Sequence, residues 1–275
     1  MNRNITTYQF VQQKINLFLW YFYDFLRSIF LRRYIKEIKE LGSTEKSIFK
    51  EYSGLDMNQD EIVSYVREWD ASICADNNTD FYNINRSLAL RMIAGNIGVQ
   101  LIQVGLYRHL KKVLKFDINF MDFGCCSATM SFLFKDRFRK AYFVEADEES
   151  LEYISFKIKK LNPDNFKGLH PDQLDEIDNN SLDFVLAYDV FEHIEDPSPT
   201  IAAIDKKIKV GGYLLYRAPW GGTFFGNYPN HGPNVKNNFM VNGGAEIVSQ
   251  KYRRIKSISI IDFYYKQGLF QKVKT

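Results

Sequence analysis

Residues 118–128, INFMDFGCCSA, constrain the fold of this chain more than any other stretch. An apolar run ends in Asp122, a turn follows at Gly124, and Cys125, Cys126, Ser127 and Ala128 are all small. The pattern predicts a strand, a tight turn and a helix beginning near Thr129. Small side chains at such a turn let a ligand come close to the backbone, and a helix N-terminus offers unpaired N–H groups to polar or anionic atoms. A ligand site is therefore expected here.

About 20 residues further on, an αβ unit returns to set an acidic residue against a ribose. Residues 141–144 form a short apolar run with Glu145 at its end, where one carboxylate can accept hydrogen bonds from two neighbouring hydroxyls. A phosphate-binding loop would place Lys and then Ser or Thr after its last Gly, and neither is present. The ligand need not carry phosphates, which points to a nucleoside such as S-adenosylmethionine.

These residues resemble the class I S-adenosylmethionine-dependent methyltransferases, whose first motif is roughly (D/E)-x-G-x-G-x-G. Asp122 and Gly124 match it, while Cys126 and Ala128 stand at the second and third glycine positions. Residues 143–154 (FVEADEESLEYI) resemble the family's second strand and following helix, residues 182–197 (LDFVLAYDVFEHIEDP) its fourth strand and loop, and residues 208–219 (IKVGGYLLYRAP) its fifth strand. The resemblance implies an α/β, Rossmann-like sheet, mostly parallel with an antiparallel last strand, and S-adenosylmethionine as cofactor. It places Asp122, Gly124, Cys125, Cys126, Ala128, Glu145, Ala146 and Asp189 around that cofactor. Asp172 and Gln173, in the loop after a weak third strand at 166–169, can reach an adenine amino group or simply be solvated. Cys and Ala cost backbone freedom where φ must be positive, and each added Cβ narrows the approach to the ligand. The alternative is a methyltransferase fold that has lost its cofactor.

The 275 residues fit one large domain or a domain with a sizeable extension, divided as a helical N-terminal extension over 1–80 and a methyltransferase domain over 81–275. The polar loop ADNNTD at 75–80 marks that boundary. A formal net charge of +3 is too small to imply nucleic acid. Three Cys, two of them adjacent, suggest neither a disulfide framework nor a zinc site, and so a reducing cytoplasm. No signal peptide is expected, because the first apolar run starts late, carries charges and lacks a small-residue cleavage site. That run, residues 15–31, falls short of a bilayer span. Its wide aromatic face can lie in a membrane interface, giving peripheral contact, or pack on the catalytic domain or on a second copy in a homodimer. A helix is expected over 34–41 with a stop at Gly42-Ser43, another over 60–69, and helical spacing over 86–116 broken by Gly95, Gly98 and Gly105.

Within the core, residues 151–161 read as a helix whose lysine-rich face is solvated, and residues 198–207 as a helix opened by Pro197 and Ser198. Gly211-Gly212 is expected to turn into a strand at 213–217, and residues 257–263 and 269–273 to close the sheet as an antiparallel hairpin. Between them, residues 220–239, rich in Gly, Asn and aromatics, begin at the carboxyl edge of the sheet and suggest a substrate wall.

Methyl transfer from a sulfonium is an in-line displacement, so the protein must align the reactants and, for a hydroxyl acceptor, remove a proton. His193 and His231 are the candidate bases, with His109 and His170 having less claim. Asp189, Glu192 and His193 form D-x-x-E-H, and with His231 they have the donor types for a divalent ion. This is similar to metal-dependent small-RNA 2′-O-methyltransferases and some ubiquinone-type O-methyltransferases, with Asp189 in place of their usual Glu. In metal-free members the same pair braces the loop. Three functions stay open: O-methylation of a small-molecule, sugar or lipid-like acceptor, an RNA methyltransferase, and a non-catalytic binding or scaffold protein.

Overall fold

The computed structural model describes residues 32–55, 90, 93–94, 97, 104–161, 165–218, 240, 242–256 and 268–274. The expectations for residues 15–31, 60–69, 75–80, 220–239 with His231, and 257–263 fall outside these. Among the described residues no helix is long and apolar enough to cross a membrane.

In chain order the strands are β1 (Ile118–Phe123), β2 (Phe138–Val144), β3 (Phe166–Leu169), β4 (Leu182–Tyr188), β5 (Ile208–Arg217), β6 (Tyr252–Lys256) and β7 (Gly268–Lys272). They form one sheet in the order β3-β2-β1-β4-β5-β7-β6. The first five pair in parallel, and β7 runs antiparallel to both β5 and β6. Chain progression reverses between β1 and β4, the place where an open α/β sheet leaves a crevice beyond its strand ends.

Successive residues of a strand face opposite sides, so Phe120, Leu186 and Leu215 build one core and Met121, Val185 and Leu214 the other. The first core is covered by α2 (Val104–Val113) and α4 (Glu148–Leu161), and is filled by stacked rings such as Phe120 on Phe138 at 4.2 Å and Phe132 on Phe143 at 4.6 Å. The second core is covered by α5 (Pro197–Lys207) and by Val248 of α6 (Gly244–Lys251). Asp196 caps α5 by accepting from Ser198 N at 3.0 Å.

Three local expectations are corrected. The N-terminal helix α1 (Arg32–Ser53) runs straight through Gly42 and Ser43 and ends only at Gly54, whose φ is +71°. A mid-helix Gly costs roughly 1 kcal/mol, and the turns beyond it offset this by burying Ile48 and Phe49 against Tyr153 of α4. The pair Gly211-Gly212 is a bulge inside β5: the register jumps from Leu182 opposite Ile208 to Phe184 opposite Tyr213. A Cβ on Gly212 would lie 2.8 Å from the Leu182 carbonyl oxygen. The hairpin partner of β7 begins earlier than the expected stretch at 257–263: residues Tyr252–Lys256 pair with it.

Candidate active site

Register fixes the centre of the site. Phe123 pairs with Val144, so the turn after β1 meets the end of β2, and Gly124 N donates to Val144 O at 2.8 Å. From there Cys126 N donates to Glu145 Oε2 at 2.6 Å, while Glu145 Oε1 accepts from Ala146 N at 2.8 Å and Asp147 N at 3.1 Å. Glu145 thus stands against the loop 19 residues before it, with its carboxylate held by backbone amides.

The residues in place of glycines keep the glycine backbone: φ is +46° at Cys126 and +49° at Ala128. Left-handed backbone at a residue with a Cβ costs roughly 1–2 kcal/mol each, so the loop shape is retained at the cost of local strain. Gly124 has φ +68°, and Val190 of the loop after β4 packs directly on it. The helix after the loop, α3 (Thr129–Phe132), has only four residues. The expected helix N-terminus is therefore one short turn, and the loop amides carry the polar contacts instead.

Asp122 closes the floor. Its carboxyl is buried and accepts from Ser131 Oγ at 2.5 Å. Burial pushes it up to about 7, with Glu145 adding and the Ser131 hydrogen bond and the Lys157 charge opposing. Burial likewise raises Glu145, against the pull of the amides it accepts from, and raises the Cys125 thiol. A carboxyl raised on folding contributes stability that is complete below its unfolded value, near 4, and is lost as pH rises through about 7. Asp122→Asn should remove that component: between pH 5 and 8 the urea midpoint of the wild type should fall relative to that of the variant. Parallel profiles would take the buried carboxyl away from Asp122.

After β4, Asp189 takes φ +56°, and its Oδ2 accepts from Arg217 Nη1 at 3.0 Å. Arg217, at the end of β5, also donates to Tyr188 OH at 3.2 Å and stacks over that ring. The turn Phe191–His193 buries Phe191 against Phe123 and Tyr216, which fixes Glu192 and His193 at the carboxyl edge beside the Gly124 loop. Glu192 is buried, and neither of its oxygens receives a hydrogen bond from the described residues. Burial, then Asp189, push its carboxyl well up. His193 Nε2 lies 4.0 Å from Glu192 Oε1, with 28 % of its side chain exposed. Among the described residues no group of three or more His, Cys, Asp and Glu is arranged to hold a metal ion.

In the turn Pro171–Glu176, Gln173 Oε1 accepts from His170 N at 2.8 Å and Gln173 Nε2 donates to Glu176 Oε1 at 3.0 Å. The Gln173 amide is thus committed to capping, and the exposed Asp172 carboxylate lies 3.2 Å from His170 Nδ1.

Sequence reasoning missed a buried layer beneath the loop. Lys157, read as part of a solvated lysine face, is fully buried. Its Nζ donates to Ser127 O at 2.5 Å and pairs with Glu45 of α1. Glu45 Oε1 also accepts from Thr129 Oγ1 and Tyr153 OH, each at 3.0 Å. The signal in the sequence was spacing: Tyr153, Ile154, Lys157 and Ile158 share one helix face, and all four are buried.

Residues 121–216 match a family model described as a methyltransferase domain. A solved S-adenosylmethionine-dependent methyltransferase from Aquifex aeolicus is 17 % identical with a TM-score of 0.50, covering 70 % of this chain and 100 % of that one. The YcgJ protein from Bacillus subtilis is 16 % identical with a TM-score of 0.38, covering 42 % of this chain, which in turn spans 51 % of that one. At its identity the likeness to the Aquifex aeolicus protein is one of fold. No curated protein matches the chain.

Proposed function

We propose that this chain, whose residues 121–216 match a methyltransferase domain, is an S-adenosylmethionine-dependent methyltransferase that methylates a hydroxyl of a small-molecule, sugar or lipid-like acceptor. The observation that carries this reading is the Glu192–His193 pair at the carboxyl edge of β4, beside the loop over Gly124. The cofactor supplies an electrophilic methyl on a sulfonium. Glu145, oriented by the backbone amides of Cys126, Ala146 and Asp147, would hold the ribose hydroxyls, and the Asp122 floor and the small side chains of 125–128 would admit the nucleoside. His193 Nε2 takes the proton from the acceptor hydroxyl as its oxygen attacks. The positive charge arriving on His193 then draws the neighbouring Glu192 toward its ionised form, since an opposite charge within about 4–6 Å favours it. The aromatic and Asn-rich composition of residues 220–239 supports a neutral or weakly polar acceptor over a polyanion.

Calorimetry with S-adenosylmethionine is the first test, because a non-catalytic scaffold would give no binding heat. Turnover, followed as release of S-adenosylhomocysteine against a panel of hydroxylated acceptors, is the second. His193→Ala should lower turnover by about 10²-fold or more while leaving cofactor affinity nearly intact. Undiminished turnover would remove His193 from the chemistry.

A further inference from the structure

The cofactor loop lies between the crevice and a buried ion pair that joins it to the N-terminal helix. Lys157 is fully buried on α4, and its ammonium donates to the carbonyl of Ser127 within the loop. It also lies 4.3 Å from the Phe132 ring centroid and 5.1 Å from that of Tyr153. The only carboxylate within ion-pair distance of it among the described residues is Glu45, which reaches in from α1 across 112 positions of sequence. Three donors, from Thr129, Tyr153 and Lys157, converge on Glu45 Oε1, and Thr129 in turn shares a 2.8 Å hydrogen bond with Ser127 Oγ. Around this pair α1 is anchored by Ile48 and Phe49 in an apolar cluster with Tyr153, and by Tyr52 OH donating to Glu149 Oε1 at 2.6 Å.

We infer that Glu45 is a positioning residue for the cofactor, cancelling the Lys157 charge beneath the loop so that a sulfonium can be accepted above it. This rests on the reading that S-adenosylmethionine lies over residues 124–128. The physical reason is the cofactor's own charge. With carboxylate, ammonium and sulfonium, S-adenosylmethionine is a net cation, whereas S-adenosylhomocysteine, its thioether product, is neutral overall. An uncompensated ammonium below the loop repels the first and not the second. Two unit charges separated by on the order of 10 Å in a medium of effective dielectric about 20 interact strongly enough to change affinity by roughly tenfold. The N-terminal helix is then a functional part of the cofactor site, and the loop reads whether that helix is docked through the charge it brings.

The test is the ratio of affinities for S-adenosylmethionine and S-adenosylhomocysteine, measured by calorimetry on the full chain at mildly acidic pH. Both ligands meet the same preparation, so any fraction of protein that is not competent cancels from the ratio. Glu45→Gln should shift the ratio about tenfold against S-adenosylmethionine. Lys157→Met, compared at mildly alkaline pH so that the carboxyl left behind is ionised, should shift it in the opposite direction, and the double variant should return it toward the wild-type value. Equal losses for both ligands, with the ratio unchanged in each single variant, would mean that the pair only braces the loop and would overturn the inference. Wild-type protein that binds neither ligand would overturn the cofactor reading itself, and the inference with it.

Discussion

Gly124→Ala should destabilise the protein by about 2–5 kcal/mol, the sum of a left-handed backbone penalty and a core overlap. The Cβ it introduces would lie 2.2 Å from Val190 Cγ2 and 2.7 Å from Val190 Cβ, on a residue whose φ is +68°. Val190 has little room to retreat, because the adjoining Phe191 is buried between Phe123 and Tyr216. Relief therefore has to come from separating the loops after β1 and β4, which form the two sides of the crevice. Cofactor affinity should fall with stability. Adding Val190→Ala should recover part of the loss, since it removes the closer contact and leaves the Cβ contact and the backbone strain. Urea denaturation of the three proteins measures this, and a Gly124→Ala midpoint equal to the wild type would show that the loops yield at no cost.

An effect of similar size is expected far from the site. Asp205, buried on α5, accepts from Lys251 Nζ at 2.8 Å and from Tyr252 OH at 2.9 Å, and pairs with the buried Lys272 at 3.0 Å. Burial alone would raise its carboxyl, but the hydrogen bonds from Lys251, Lys272 and Tyr252 outweigh that and leave it below the ordinary carboxylate range. Asp205→Ala leaves the Lys272 ammonium with the carbonyl oxygens of Asp205 and Ile208 and no counter-charge. Removing one partner of a buried pair costs about 3–5 kcal/mol. The loss should concentrate where β7 and β6 join the sheet, read as faster amide exchange in residues 252–256 and 268–272. The sign of the pH dependence follows: a depressed carboxyl contributes stability above its unfolded value that is lost as pH falls through its folded one. Acidification should therefore narrow the gap between wild type and variant. A gap that widened would place the stabilising charge elsewhere.

The strands at the centre of the sheet were legible because both of their faces are buried, so β1 and β4 are near-continuous apolar runs and β2 becomes one from Ala141 onward. The edge strand β6 was not, because YRRIK shows the sheet's demands only at Tyr252 and otherwise looks like a charged surface. Gly42 misled for a related reason. Helix-stop chemistry is local, whereas the packing of Ile48 and Phe49 that carries α1 past it is tertiary. In the site, Gly124 and Glu145 were readable because their spacing is set by one αβ unit. Cys126 and Ala128 raised the question of whether the loop keeps its shape, and only the backbone angles answer it. Glu45 gave no local sign, since its partner lies in another layer of the fold.

The ion pair between Glu45 and Lys157 also sets an order of events during synthesis. At about 5–20 residues per second, the 112 positions between them mean that α1 leaves the ribosome roughly 6–22 s before the lysine it neutralises. For that interval Ile48 and Phe49 have no α4 to cover them, and the nascent chain presents a helix with a net basic charge and an uncovered apolar face to whatever is near. The loop at residues 124–128, made between the two, is supported only when α4 has emerged and that early helix comes back to it.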